Sequence, residues 1–136
     1  MTSSLASNLD TYLQEQEGRA FDWPTFNCCH FAQGWVQRQE GHALNLVPRV
    51  KDRKSALRII HDRGGREAAI SKAIGREPIP VTMARPGDLV LFRSADSAML
   101  GICCGRTGAC IGEGVGNIVH IEMTQACAAW PVGAHV

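Results

Sequence analysis

The stretch from Phe21 to Val36, FDWPTFNCCHFAQGWV, decides how this chain folds. Cys28, Phe31, Ala32, Trp35 and Val36 fall at i, i+3, i+4, i+7 and i+8, which is one apolar stripe on a helix. Asn27 is a good N-cap for that helix and puts Cys28 in its first turn. A thiol there meets free backbone N–H groups and the positive end of the helix dipole, and both favour the thiolate. Two readings of Cys28 stay open at this point: a nucleophile, or a small residue packed in an apolar stripe.

N-terminal to this stretch, Ser3 or Ser4 can cap a first helix in which Leu5, Leu9, Tyr12 and Leu13 share a face, and Gly18 ends it. Phe21 and Trp23 are placed to pack under the start of the second helix, which runs from about Cys28 to Gln39. Gly34 inside that helix weakens it by about 1 kcal/mol relative to alanine, so a close neighbour is expected there. A connection spans Gly41 to Lys54. Ser55 then opens a short helix with Leu57, Ile59 and Ile60, closed by Gly64-Gly65, and Glu67 to Ile74 forms another, ended by Gly75. Pro78 and Pro80 stop any continuation, so about 42–78 reads as a helical excursion. Its basic residues, among them Arg49, Lys51, Arg53 and Arg58, read as a solvated face or as a docking surface for an acidic protein.

The periodicity changes after Pro80. Arg85-Pro86-Gly87-Asp88 is a turn followed by the apolar strand Leu89 to Phe92. Further strands are expected at Ala98–Cys104, Ala109–Ile111 and Asn117–Met123, with a last short element over Cys127–Val132. The GEGVG segment at 112–116 lacks the Lys-Ser/Thr of a phosphate loop and opens no helix, so it reads as a turn. Helices first and a small antiparallel sheet after them make an α+β layout.

The 136 residues, 45% hydrophobic, suit a single domain over 1–136. Fourteen Lys and Arg against 13 Asp and Glu leave a formal charge of +1 with no basic block, so charge does not point to nucleic acid. No apolar run approaches a membrane span, and the polar start MTSSLASNLD predicts neither membrane insertion nor a signal peptide. Cysteines at 28, 29, 103, 104, 110 and 127 match no zinc spacing and no secreted disulfide framework. Adjacent side chains usually diverge, so free, largely buried thiols with no metal and no cofactor are expected. A metal or iron–sulfur site from Cys28 or Cys29 with Cys103 or Cys104 and His30 is the alternative.

Phe21-x-Trp23, Asn27-Cys28 and Phe31, then Pro86-Gly87-Asp88-Leu89-Val90, Leu100-Gly101-Ile102-Cys103-x-Gly105 and the late Ala129-Trp130 together resemble the NlpC-type branch of the papain-like fold. More narrowly, the chain resembles small NlpC-like proteins encoded in tailed-phage and prophage tail gene clusters. The resemblance implies an NlpC-type papain-like fold with N-terminal helices packed on the sheet, and Cys28 at the nucleophile position. Asn27 stands where an aspartate is usual. Met99 occupies the place of the histidine base, and a thioether cannot accept the thiol proton usefully. His120 falls at the third, orienting position, or could itself act as base. His30, two residues past Cys28 on the same helix, points away from it, and His42, His61 and His135 read as surface residues.

The resemblance therefore implies a structural component of a phage tail tip or baseplate, built on a catalytically degenerate domain. Its partners would be other tail-tip or baseplate proteins, with contact to peptidoglycan and no nucleic acid, and its location the virion, assembled in the bacterial host cytoplasm. The alternative is a cysteine peptidase or amidase cleaving peptidoglycan peptides, with Cys28 as nucleophile and His120 as base.

Overall fold

Four helices precede five strands in the computed structural model, which describes residues 4–41, 51–62, 64–94, 97–112 and 117–133. The helices are α1 (Ser4–Gln16), α2 (Cys28–Glu40), α3 (Arg53–Asp62) and α4 (Arg66–Ile74). The strands are β1 (Leu89–Ser94), β2 (Ser97–Cys103), β3 (Thr107–Cys110), β4 (Val119–Glu122) and β5 (Ala126–Trp130). This is the α+β arrangement expected from the sequence, helices first and one small antiparallel sheet after them. The turn expected at GEGVG and most of the connection before Lys51 lie outside the described residues.

The start of α3 differs from expectation. Ser55 does not open it; Asp52 does, because its Oδ1 accepts from Ser55 N–H at 2.8 Å while Ser55 Oγ accepts from Asp52 N–H at 3.2 Å. Reciprocal bonds of this kind satisfy two of the free donors of a first turn, and a serine three residues inside the helix completes them.

The sheet order is β4-β3-β2-β1-β5, with every neighbouring pair antiparallel. β4 and β5 are consecutive in sequence yet occupy opposite edges. A flat five-stranded sheet would separate its edges by about 19 Å, at roughly 4.8 Å per strand. The three residues Met123–Gln125 between Glu122 and Ala126 reach at most about 14 Å. The sheet must therefore curl. Between β1 and β5 the register shifts at Leu91/Phe92, leaving Cys127 as the extra residue, and a bulge of this kind bends the strand that carries it.

Curling gives the two faces different tasks. Leu89, Leu91, Leu100, Ile102, Ala109, Ala128 and Trp130 pack with Phe31, Ala32, Trp35 and Val36 of α2 and with Leu9 and Tyr12 of α1. On the other face Val90, Phe92, Cys103, Cys110 and Ala129 form a second cluster. A Cβ at Gly108 would overlap the Phe92 ring, so that glycine makes room for a large aromatic inside the curl.

The turn before β1 joins these layers. The Trp35 indole N–H donates to Gly87 C=O at 2.7 Å, and Gly87 N–H donates to Cys103 C=O at 2.8 Å. Buried Asp88 accepts from Arg85 N–H at 2.9 Å and from Val132 N–H at 3.1 Å, holding the chain end against the start of the sheet. A second tie lies nearby. Glu40 pairs with Arg76 and accepts from Gly133 N–H, Arg76 also donates to Pro131 C=O, and Trp130 Nε1–H donates to Ser71 Oγ at 2.8 Å.

Gly34 has the close neighbour that its place in α2 predicted. The Tyr12 hydroxyl donates to Phe31 C=O at 2.6 Å, and a Cβ on Gly34 would overlap that oxygen. Gly34→Ala is expected to lower the unfolding free energy by about 1–3 kcal/mol in a urea titration. Adding Tyr12→Phe, which removes the clashing oxygen, should recover part of the loss; a Gly34→Ala chain as stable as wild type would show that the contact is absent.

Asp88 gives a second expectation. Burial raises its pKa above the ordinary carboxylate range, against the lowering effect of the Arg85 and Val132 N–H donors. The folded chain then keeps this proton at pH values where the unfolded chain has released it. Its contribution to stability is therefore fullest in acid below the unfolded value, about 3.9, and declines as pH rises through the folded value. Asp88→Asn does not titrate, so the wild-type advantage over it should shrink from acid to neutral pH. An advantage that grows with pH would reverse the sign.

Candidate functional site

Cys28 is the first residue of α2, and the local sequence explains how it is held there. Asp22 and Phe26 bridge a tight turn, with Asp22 N–H donating to Phe26 C=O at 3.0 Å and Phe26 N–H to Asp22 C=O at 2.7 Å. Phe26 is buried, with the Arg19 guanidinium 3.8 Å over its ring, and Phe21 and Trp23 meet edge to face at 5.0 Å. Phe21 reaches the core as expected, whereas Trp23 contributes through its carbonyl, which accepts from Asn27 Nδ2–H at 2.9 Å. Asn27 Oδ1 then accepts from Cys29 N–H at 2.8 Å and His30 N–H at 3.1 Å.

His30 completes this cap: its Nδ1 accepts from Asn27 N–H at 3.1 Å, which places the ring proton on Nε2. Burial, with Arg19 nearby, lowers its pKa against the opposing pull of Asp22, which favours the neutral ring that the cap requires. The sequence identified His30 as badly placed for a base but gave no sign that it caps the helix. A histidine is an uncommon third residue of a capping box, and the usual signal is Glu or Gln.

Around the Cys28 sulfur the structure assembles donors. The Cys29 thiol hydrogen-bonds to it, and the backbone N–H groups of Leu100, Cys28 and Cys29 add to that. Against the cost of burial, these bonds bring Cys28 down from the ordinary thiol range to about 7. Adjacent thiols were expected to diverge; here a helix start turns the second one back toward the first. The remaining thiols behave differently. Burial raises Cys103 and Cys110, and raises Cys104 to about 11. All six cysteines are free, with Cys103 and Cys110 buried and Cys127 exposed.

The other two residues singled out by the sequence lie elsewhere. Met99 sits opposite Phe92 on β2 and packs against the cluster inside the curl, as do Val119, Ile121 and Met123, while its neighbour Leu100 faces α2. Cys28 meets β2 from the Leu100 side. His120 is on β4, opposite Ala109 and two strands from β2, which is on the order of 10 Å sideways. It is exposed, and its Nδ1 lies 3.4 Å from Thr107 Oγ1. The structure thus brings together Cys28, Cys29 and Leu100, and separates Met99 and His120 from them. His61 is exposed on α3, and His42 and His135 lie outside the described residues.

Among the described residues no group of three His, Cys, Asp or Glu side chains is arranged to hold a metal ion. Among them, too, no helix is long and apolar enough to cross a membrane.

Asn27→Ala removes two bonds to the first turn and should cost about 1 kcal/mol of stability. Because it frees the helix start, it should also move the Cys28 titration upward. Iodoacetamide alkylation followed by peptide mapping across pH would show this as a midpoint near 7 at Cys28 in wild type and a higher one in the variant. An unchanged midpoint would mean that the cap does not position these donors.

Comparison with curated proteins finds no match to the chain. Residues 2–132 match, almost end to end, the family described as a domain of unknown function, DUF6950, and the chain belongs to that family.

Proposed function

We propose that the chain is a non-hydrolysing domain of the NlpC-type papain-like fold that serves as a structural component of a phage tail tip or baseplate. One observation carries the loss of hydrolysis: among the described residues, the groups that lower the Cys28 pKa are hydrogen-bond donors, and no histidine is among them. A cysteine peptidase needs an acceptor that takes the thiol proton and later delivers it to the leaving amine. Met99 lies inside the curl and could not accept a proton in any position. The tail assignment rests on the resemblance in motif order and spacing. The placement of a cysteine at the start of a helix packed on the second strand of a curled antiparallel sheet is in keeping with it. Other tail proteins are then its partners, with peptidoglycan within reach of the particle tip, and the virion its final location after assembly in the host cytoplasm.

The lowered Cys28 pKa favours the other reading, a peptidase or amidase acting on peptidoglycan peptides with His120 as base. The place of His120 on β4 weighs against it. Incubating peptidoglycan fragments with the purified protein separates the two: wild type and Cys28→Ala should release the same background of products, and release that depends on Cys28 would overturn the structural reading. Mass spectrometry and cryo-electron microscopy of the intact particle should find the chain at the tail tip; a complete tail without it would remove the assembly assignment.

A further inference from the structure

Helix α3 is capped with care and then left outside the core. Asp52 Oδ1 accepts from Ser55 N–H at 2.8 Å to open it, yet among the described residues no side chain of α3 joins either apolar cluster, and its main neighbour is α4. We propose that the outer face of α3 is a docking surface for an acidic helical segment of a partner protein, one that presents an apolar side chain between its carboxylates. The inference rests on α3 alone and is independent of whether the chain assembles into a tail.

The two sides of the helix carry different residues. Ser55, Ala56 and Ile59 are half-buried and, at 3.6 residues per turn, share the side turned to α4. Arg53, Lys54 and His61 lie at i−4, i−3 and i+4 around Leu57 on the opposite side, with Arg58 next to them, and all of these are exposed. Leu57 is 40% exposed, which leaves an apolar patch in the middle of a basic face. From Lys51 to Arg58 the chain carries four Lys or Arg and one acid, Asp52, in a protein whose formal charge is only +1. Asp52 feels Lys51 and Lys54, but its carboxylate is committed to the helix cap. Among the described residues neither Lys54 nor Arg58 forms an ion pair. A helix this short is marginal in water, and packing on α4 accounts for only one of its sides.

The composition of the outer face selects its occupant. Exposed cations suit carboxylates or phosphates, and the apolar centre decides between them. A phosphate backbone gains nothing from Leu57, and no aromatic side chain lies on α3 to stack on a base. A lipid surface needs a broad apolar face, whereas Ala56 and Ile59 are turned to α4 and leave Leu57 as the exposed apolar residue among the described side chains. An acidic helix meets both features: carboxylates three and four residues from an apolar side chain reach Arg53, Lys54 and Arg58 while that side chain covers Leu57.

The probe is a labelled, stapled helical peptide with leucine at every fourth position and glutamate between, and polyglutamate of equal charge is the control. Fluorescence anisotropy with the whole chain should show the peptide binding about fivefold more tightly than polyglutamate, from partial burial of one leucine. Leu57→Ser should remove that preference, and the double variant Lys54→Glu, Arg58→Glu should weaken binding of both ligands by about tenfold or more. Raising sodium chloride from about 50 to about 500 mM should weaken wild-type binding by about tenfold. No binding by the wild-type chain, equal binding of polyglutamate, or tighter binding of a short DNA duplex or of phosphatidylglycerol vesicles would each overturn the proposal. The ligand comparison and the salt titration use the wild-type chain, so the test survives a variant that folds poorly.

Discussion

The hydrogen bond from the Trp35 indole to the Gly87 carbonyl fixes the position of α2, and with it the site. Both groups are buried, and an indole N–H has no second way to be satisfied. Leaving it unpaired would cost about 1–3 kcal/mol, enough to oppose any rotation or slide of the helix. Cys28 lies two turns before Trp35 on the same stripe, so anchoring the indole also anchors the thiol over β2. Gly87 closes the linkage because its own N–H bonds to Cys103, three residues beyond Leu100 on the same strand. The carbonyl that places the helix and the N–H that meets the thiol thus belong to one hydrogen-bonded unit.

The second constraint is the short link from β4 to β5. It forces the curl, and the curl explains several small residues that otherwise have no obvious reason. Gly108 admits the Phe92 ring, and a Cβ at Gly101 would meet Cys110 Sγ and the Ala109 carbonyl. The inner space is narrow, so a strand that faces it must alternate glycine with apolar side chains. Met99 belongs to that filling. Its identity can be understood from packing alone, since a flexible thioether suits a partly buried place beside Phe92 at the edge of this cluster.

Much of this architecture was legible because it follows from period and punctuation. The α2 stripe, the Asn27 cap, the proline-glycine-aspartate turn and the strands after it all lie in local sequence. Gly34 even announced a close neighbour, though not that it would be Tyr12. What stayed hidden depends on contacts between residues far apart in the chain. Asp88 reads as a turn residue, yet one of its carboxylate oxygens holds Val132; Glu40, which no local pattern singles out, ties Arg76 and Gly133 together. The curl is a further case, because strand order is not written in any one strand. At the site, sequence placed Cys28 correctly at the start of its helix. It could not show that Cys29 turns back toward Cys28, since that depends on how the cap orients the first turn.

The chemistry open to Cys28 follows from the difference between its donors and a true base. Hydrogen bonds from Cys29, Leu100 and the helix start stabilise a thiolate, which is half of what a cysteine peptidase requires. The other half is a proton returned to the leaving nitrogen, because an amine anion is far too basic to depart from a tetrahedral intermediate. Donors fixed to backbone amides cannot perform that return. A sulfur surrounded in this way is thus held toward the thiolate, while the backbone amides beside it supply no proton for a leaving amine. On β2 itself Leu100 faces α2 and Met99 the other cluster, so the strand meets the thiol with a backbone N–H and not with the Met99 side chain.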